Sequence, residues 1–415
     1  MKQHQPATQP APRLAAVILA AGLSSRLGEF KPLARLGAEP EGGSGGSDET
    51  LLGRAARLFR QAGVTDILAV AGHRAPETQA EAQRLGIACV INPAYAEGMF
   101  TSALAGLRAL ASRQPGPDAV FLLPVDIPLV RPHTLRLLEE RLAAMCAETP
   151  AKPPAVLHPV FAGQRGHPPL LLARHLPEVL AWSGRNGLRG ALEDLERRHG
   201  ALDVPVADEN IHFDVDDQPA LAEARRRLAR RGIPTPEEAL ALLRLHDAGQ
   251  RGHAHACGVA DAALVLARAL NAQGAQLDLT LTEAAALLHD IAKGQPKHEA
   301  AGAALLDALG FHRAARIVAA HRDSAPQGGQ PDAGQSGSAP LTEGELVYFA
   351  DKLVQGSTLV PVRARFQQKL DLFAHDPEAS AAIRRRLANA LAMQQRIEAA
   401  AHQPLHALLP GTEEP

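Results

Sequence analysis

The stretch Leu19-Ala20-Ala21-Gly22-Leu23-Ser24-Ser25-Arg26-Leu27-Gly28-Glu29-Phe30-Lys31-Pro32-Leu33 decides how this chain is read. It follows the apolar run Leu14–Ile18, which predicts a buried strand, and it turns at glycines ahead of an arginine and a lysine. A strand running into such a turn exposes several backbone N–H groups at one point, a nest that binds phosphate oxygens. Arg26 and Lys31 add the fixed positive charge that a polyphosphate needs. No Gly-Lys-Ser/Thr follows, so the loop is not a Walker A, and its spacing is not Gly-x-Gly-x-x-Gly. Only Lys2 and Arg13 precede the apolar run, which is too short to span a bilayer, so it reads as a first strand and not a leader.

Outward from that loop, short apolar runs alternate with helix-like stretches. Strands are predicted over Leu14–Ala21, Asp66–Gly72, Ala88–Asn92, Ala119–Asp126 and Ala155–Phe161. Helices are predicted over Leu51–Ala62, Pro76–Leu85, Phe100–Ala111 and Pro132–Ala144. This alternation predicts an α/β, Rossmann-like domain with a mostly parallel sheet covered on both faces, over residues 14–230. Ligands then sit at the carboxyl ends of the strands, where Gly22 and Asp126 both fall. The Gly/Ser-rich insert at 39–49 reads as a flexible loop.

A break at Arg231-Gly232-Ile233-Pro234 precedes a second, all-α domain, predicted over residues 235–400. Three capping boxes are predicted to open helices there: Thr235 with Glu238, Thr280 with Glu283 ahead of a helix ending at Gly294, and Thr342 with Glu345. Ser324–Pro340 is of low complexity. A length of 415 residues suits two domains. A net charge of −2 implies no general attraction to nucleic acid or to an anionic membrane. Aromatic residues make up 3% against 46% hydrophobic, so the cores are built from small aliphatic side chains. Cys89, Cys146 and Cys257 show no metal-type spacing, and the expected setting is reduced and cytoplasmic.

Two carboxylates stand out in the first half. Asp126, in Leu123-Pro124-Val125-Asp126-Ile127-Pro128-Leu129, ends a strand beside the phosphate loop, where it can ligate Mg²⁺. Asp216, in Phe213-Asp214-Val215-Asp216-Asp217, offers a second ligand, with a solvated acidic turn as the alternative.

The quoted loop, Asn92-Pro93-Ala94-Tyr95-Ala96-Glu97-Gly98-Met99, the run around Asp126, Arg165-Gly166-His167-Pro168-Pro169 and the Asp-Val-Asp ending at Asp216 together resemble the molybdenum cofactor cytidylyltransferase family. The resemblance implies that Leu19, Ala20, Ala21, Gly22, Arg26, Lys31 and Asn92 bind the nucleotide. Arg26, Lys31 and Asp126 would be catalytic, with Asp126 and Asp216 holding Mg²⁺. Guanylyl-transferring relatives carry Gly at the position of Ala21, so an alanine there suggests CTP. The family's Gly-Asp-x-Gly segment is Gly184-Arg185-Asn186-Gly187 here, without the acid. The implied reaction is attack by an acceptor phosphate on the nucleotide α-phosphorus, with release of pyrophosphate.

In the second half, His255, His289, Asp290, His298, His321 and Asp351 form an ordered set. His289-Asp290 closes the apolar Ala284–Leu288, His255 starts a helix carrying Val259 and Leu266, and Asp351 ends the apolar Leu346–Ala350. Apolar helices that each deliver a His or Asp inward need a reason to bury those groups, and a shared metal supplies it. His253 is an alternative to His255, less well spaced to Val259. This order resembles the HD metal-dependent phosphohydrolases. The resemblance implies one or two metals, Fe or Mn suiting the donors, on all six residues, with Asp290 also catalytic. Lys293 is either a phosphate contact or a solvated helix-end lysine.

The expected protein is therefore a bifunctional enzyme. It would join an NTP, CTP first, to a molybdopterin-type acceptor, and would hydrolyse a phosphate ester or nucleotide. Molybdoenzymes or other cofactor-assembly proteins are the implied partners. The alternative is a sugar- or alcohol-phosphate nucleotidyltransferase whose HD domain senses a nucleotide.

Overall fold

The computed structural model describes residues 12–37, 49–148, 153–320 and 340–413. It divides into two units, Met1–Arg230 and Arg231–Pro415. The insert at 39–49, apart from Glu49, and the low-complexity stretch, apart from Pro340, lie outside the described residues.

In the first unit, strands β1 (Leu14–Ala20), β2 (Asp66–Ala71), β3 (Ala88–Ile91) and β4 (Ala119–Pro124) alternate with helices α1 (Leu51–Gln61), α2 (Ala75–Leu85) and α3 (Met99–Ala111). Ala15, Ala16, Val17, Ile18 and Ala20 are completely buried, as a central parallel strand covered on both faces requires. β1 pairs in parallel with β2 on one side and β4 on the other, and β2 pairs in parallel with β3. Helix α3 packs against β1 and β2 through Gly106, where an added Cβ would lie 2.5 Å from Val17 Cγ1 and 3.0 Å from Val70 Cγ2. The glycine lets helix and sheet approach.

Beyond β4 the chain forms α4 (Pro132–Glu148), β5 (Val156–Phe161), β6 (Gln164–Arg165), β7 (Leu170–Leu172), α5 (Leu176–Leu180), α6 (Gly187–His199), β8 (Ala201–Pro205) and α7 (Gln218–Ala229). The sheet order is β3-β2-β1-β4-β7-β5-β6, with β8 on β5. β7 runs antiparallel to both β4 and β5, and β8 is parallel to β5, so the sheet is mixed though mostly parallel. Asp208, fully buried after β8, fixes the start of α4: its Oδ2 accepts from Arg131 N at 2.7 Å and Thr134 Oγ1 at 2.8 Å. Burial pushes that carboxyl up, but Arg131, His133 and these donors outweigh it and hold it below the usual carboxylate range.

The second unit is helical. It comprises α8 (Pro236–Leu245), α9 (Gly249–Ala272), α10 (Leu279–Leu288), α11 (His298–Ala308), α12 (His312–Ala320), α13 (Glu343–Leu353), α14 (Val362–Leu372), α15 (Pro377–Ala401) and α16 (Leu405–Leu408). A small hairpin, β9 (Val354–Gln355) with β10 (Thr358–Leu359), interrupts the helical pattern between α13 and α14. The capping boxes Thr235/Glu238 and Thr342/Glu345 form as their sequences dictate. The one expected at Thr280 does not, because Asp278 caps α10 instead, accepting from Leu281 N at 3.1 Å. An Asp two residues earlier outcompetes the threonine for the free N–H groups. α10 also stops at Leu288, short of the expected Gly294, so His289 and Asp290 lie just past its end. His255 sits within α9, not at its start. Among the described residues no helix is long and apolar enough to cross a membrane.

Candidate active sites

The first site forms where β1 and β4 end. After Ala20 the chain leaves the sheet, Ser24 adopts a left-handed conformation (φ 56°) and Gly28 another (φ 76°), and Ser24 Oγ accepts from Lys31 N at 3.0 Å. That turn, followed by Pro32, aims the Lys31 side chain back towards the sheet. Its ammonium lies 3.0 Å from Asp126 Oδ2 and 2.6 Å from Asp216 Oδ1, and Arg26 Nη2 lies 2.9 Å from Asp216 Oδ2. Asp126 follows β4, and its carbonyl accepts from Val215 N at 2.7 Å, which brings the Asp216 loop alongside. The two carboxylates, distant in sequence, thus converge on one cation.

Burial alone would push the Lys31 ammonium down, but its bonds to Asp216 and Asp126 more than offset this and hold it above its ordinary value. The Asp216 carboxyl is held below the usual carboxylate range, first by Lys31. These groups open onto a cavity of about 370 Å³ that Leu19, Ala21, Gly22, Arg26, Lys31, Asp126 and Asp216 also line. An all-oxygen pair already gathered around a positive charge fits a hard divalent cation such as Mg²⁺.

Two expected nucleotide-binding residues stand apart. Ala20 is completely buried in β1 and does not line the cavity. Asn92 is 3% exposed and committed elsewhere: its amide donates to Thr101 Oγ1 (2.8 Å) and Ser102 Oγ (3.0 Å), and its Oδ1 accepts from Ala94 N (3.0 Å). It organises the start of α3, and through it Ser102 reaches the cavity. Ser24, Ser25, Tyr95 and Ser102 line the cavity without having been singled out. Only the hydroxyls beside Gly22 in the quoted loop hinted at this.

The second site lies in the helical unit. His255 Nε2 is 3.3 Å from Asp351 Oδ1, and His289 Nε2 is 3.8 Å from the same oxygen and 3.6 Å from Asp290 Oδ2. His298, the first residue of α11, places Nε2 3.4 Å from Asp290 Oδ1 and 3.5 Å from Glu299 Oε1. Glu299, 8% exposed, was not anticipated. His321 lies outside the described residues. The expected residues that are described therefore meet at one centre. His253 contacts Cys257 Sγ at 3.7 Å and lines a different cavity, which leaves His255 as the residue at the centre.

The histidine orientations bear on whether a metal fits. His255 Nδ1 is 3.1 Å from the Gly356 carbonyl, and His289 Nδ1 is 2.7 Å from the Ala286 carbonyl. A carbonyl only accepts, so Nδ1 carries the proton on both rings and Nε2 presents its lone pair to the carboxylates. Two imidazole lone pairs and two carboxylates facing one point, each imidazole braced from behind, is a donor set that fits a divalent transition metal. Burial pushes the Asp351 carboxyl up, but the adjacent His255 ring, then Lys352, His289 and Arg365, hold it well below its usual range. Lys293 Nζ donates to Asp290 Oδ2 at 2.5 Å and Lys352 Nζ to Asp351 Oδ2 at 2.5 Å.

Among the described residues one other trio, His175, Glu178 and His199, brings metal-type donors together. There Arg174 Nε donates to His175 Nε2 at 3.2 Å, Arg198 pairs with Glu178, and both histidines hydrogen-bond the same carboxylate. The arginines occupy the place of a cation, so this is an ion-pair network, and it holds Glu178 down to about 2, first through His175.

Comparison with known families gives two matches, a MobA-like NTP transferase domain over residues 16–201 and an HD domain over residues 252–355. The chain is thus an enzyme with a nucleotidyltransferase domain and an HD phosphohydrolase domain, both of kinds that generally depend on divalent metals. No curated protein matches it. Among solved structures it is similar to a nucleotidyl transferase from Methanothermobacter thermautotrophicus, at 22% identity and a TM-score of 0.41, covering 53% of this chain and 99% of that one. A Mycobacterium tuberculosis H37Rv protein aligns at 27% identity and a TM-score of 0.38, covering 53% and 98%. A molybdopterin-guanine dinucleotide biosynthesis protein A from Archaeoglobus fulgidus aligns at 16% and 0.35, covering 51% and 97%.

Proposed function

We propose, for a chain carrying these two domains, that the first pocket joins CTP to the phosphate of a molybdopterin-type acceptor and that the helical site hydrolyses a phosphate ester or nucleotide. The observation that carries the first half is the convergence of Asp126 and Asp216 on Lys31 beside the Gly22 loop. In the reaction, an acceptor phosphate oxygen bonds to the nucleotide α-phosphorus while the bond to the β-phosphate oxygen breaks and pyrophosphate leaves. The acceptor phosphate is already ionised at neutral pH, so no protein base is required. Mg²⁺ held by Asp126 and Asp216 would neutralise charge growing on the α-phosphoryl and leaving oxygens. Lys31 and Arg26, released from those carboxylates, hold the triphosphate in line together with the loop N–H groups.

The choice of CTP rests on Ala21. Its Cβ sits against Gly72, where an added Cβ would come within 2.7 Å of it and within 2.6 Å of Tyr95 Cβ. Gly72 leaves room for the alanine methyl, which lines the cavity and would leave less space for a purine than a glycine at that position.

In the helical site, His255, His289, Asp290, His298 and Asp351 would hold Fe or Mn, which supplies an electrophile for the phosphoryl oxygens and acidifies water. The two backbone-braced imidazoles support this role. The test of the transferase reading is pyrophosphate release from CTP, GTP, ATP and UTP, each with Mg²⁺ and molybdopterin. Release from CTP above the others supports the proposal. Release from GTP instead refutes the role given to Ala21. Turnover only with sugar or alcohol phosphates refutes the acceptor.

A further inference from the structure

The cavity over the helical site, about 770 Å³, is much larger than one phosphoryl group requires, and six cations line it: Arg251, Lys293, Lys352, Arg365, Lys369 and Arg386. Three of them are committed to the ligand cluster. Lys293 bonds Asp290, Lys352 bonds Asp351, and Arg365 donates to the carbonyls of Asp351 and Val354. Arg251 lies near the start of α9, whereas Lys369 on α14 and Arg386 on α15 stand together towards the other end of the helical unit in sequence. Among the described residues neither is in a salt bridge, and both lie beyond the residues that match the HD domain. The Lys369 ammonium is pushed down, first by desolvation and then by Arg365 and Lys352, with Arg386 adding to the repulsion and Asp351 opposing it. Like charges held together at a cavity wall, against their own repulsion, are arranged for an anion of more than one charge.

We propose that Lys369 and Arg386 form an anion subsite beside the metal-ligand cluster. The hydrolase site then takes substrates in which the phosphate that is cleaved is linked to a further phosphate, a di- or triphosphate and not a phosphomonoester. This rests on the phosphohydrolase reading above. In the step it serves, a water oxygen bonds to the terminal phosphorus and the bridging P–O bond breaks. The electron pair stays on the departing phosphate oxygen, and the water proton passes to that phosphate or to solvent. Lys369 and Arg386 hold the departing phosphate.

The test uses the full chain carrying Arg26→Ala and Lys31→Ala, which silences the other phosphate-binding pocket. Inorganic tripolyphosphate and orthophosphate are titrated by calorimetry, without metal, into this protein and into the same protein with Lys369→Ala and Arg386→Ala. Tripolyphosphate is expected to bind at least about tenfold more tightly than orthophosphate, and the double substitution to remove that preference while leaving orthophosphate binding within about twofold. Equal affinity for the two anions, or equal weakening of both, overturns the subsite. Phosphate release from tripolyphosphate and from p-nitrophenyl phosphate with Mn²⁺ is measured in parallel. No release from either, with the binding preference intact, sinks the hydrolase reading and leaves the subsite standing. Faster turnover of the monoester than of tripolyphosphate overturns the substrate class.

Discussion

Replacing Lys31 by methionine should strengthen Mg²⁺ binding while it weakens catalysis. The ammonium makes two ion pairs, 3.0 Å to Asp126 and 2.6 Å to Asp216, with side-chain exposures of 14%, 27% and 28%. A metal that takes both carboxylates must displace that ammonium. Allowing for solvent screening, each pair contributes about 1 kcal/mol, so vacating the site costs about 2 kcal/mol. Lys31→Met removes that cost, and Mg²⁺ affinity should rise about thirtyfold. Without the metal the variant should be less stable, since Asp126 then loses its ammonium partner and Asp216 keeps only Arg26. Transfer should nevertheless fall by about a hundredfold, because the triphosphate loses a charged donor at the departing pyrophosphate. Calorimetric titration of Mg²⁺ into wild type and variant, alongside pyrophosphate release, reads both effects. Unchanged or weaker Mg²⁺ binding would refute the claim that lysine and metal share one place.

Three other outcomes are expected. Gly106→Ala should destabilise the first unit by about 1–3 kcal/mol through overlap with Val17 and Val70, seen as a lower melting temperature in a thermal scan. Asp351→Asn should strip Mn or Fe from the protein, read by elemental analysis, and lower phosphate release at least about a hundredfold while leaving pyrophosphate release from CTP unchanged. His158 and His167 are both pushed below the usual histidine range, first by burial, so the fold favours their neutral forms. Their contribution to stability is complete above about pH 6.5 and is lost as pH falls below it. Denaturation midpoints measured between pH 7.5 and 5.5 should decline, and they should decline less in a His158→Gln, His167→Gln double variant.

The parts of this fold that could be read from sequence are those whose signal is local. β1, β2 and β4 are unbroken apolar runs, and a parallel strand covered on both faces has no other way to look. β7 and β8 were not anticipated. Leu170–Leu172 is only three residues long and becomes a strand by lying between β4 and β5, while Ala201–Pro205 ends in a proline and carries a charge at Asp203. Their partners make them strands. Asp126 was legible as a candidate because it ends an apolar run beside the phosphate loop, and Asp216 because it stands in the acidic segment Phe213–Asp217, but their meeting on Lys31 is a property of the folded chain. Asn92 shows the opposite case. Its position beside the site was readable, whereas the hydrogen bonds that commit its side chain, two to α3 and one to Ala94 N, were not. The cations at Lys369 and Arg386 lie on separate helices and carry no spacing signal at all.

The bond from Val215 N to the Asp126 carbonyl has a bearing on how the enzyme is made. Lys31 and Asp216 are 185 positions apart, so a ribosome adding roughly 5–20 residues per second leaves the lysine without its second acid for on the order of ten seconds or more. During that interval the phosphate loop and Asp126 can already have emerged, yet a growing chain has only half of its carboxylate pair. The cation site is thereby completed only when nearly all of the first unit has been synthesised, and any fragment released before residue 215 would carry the phosphate loop without its second carboxylate.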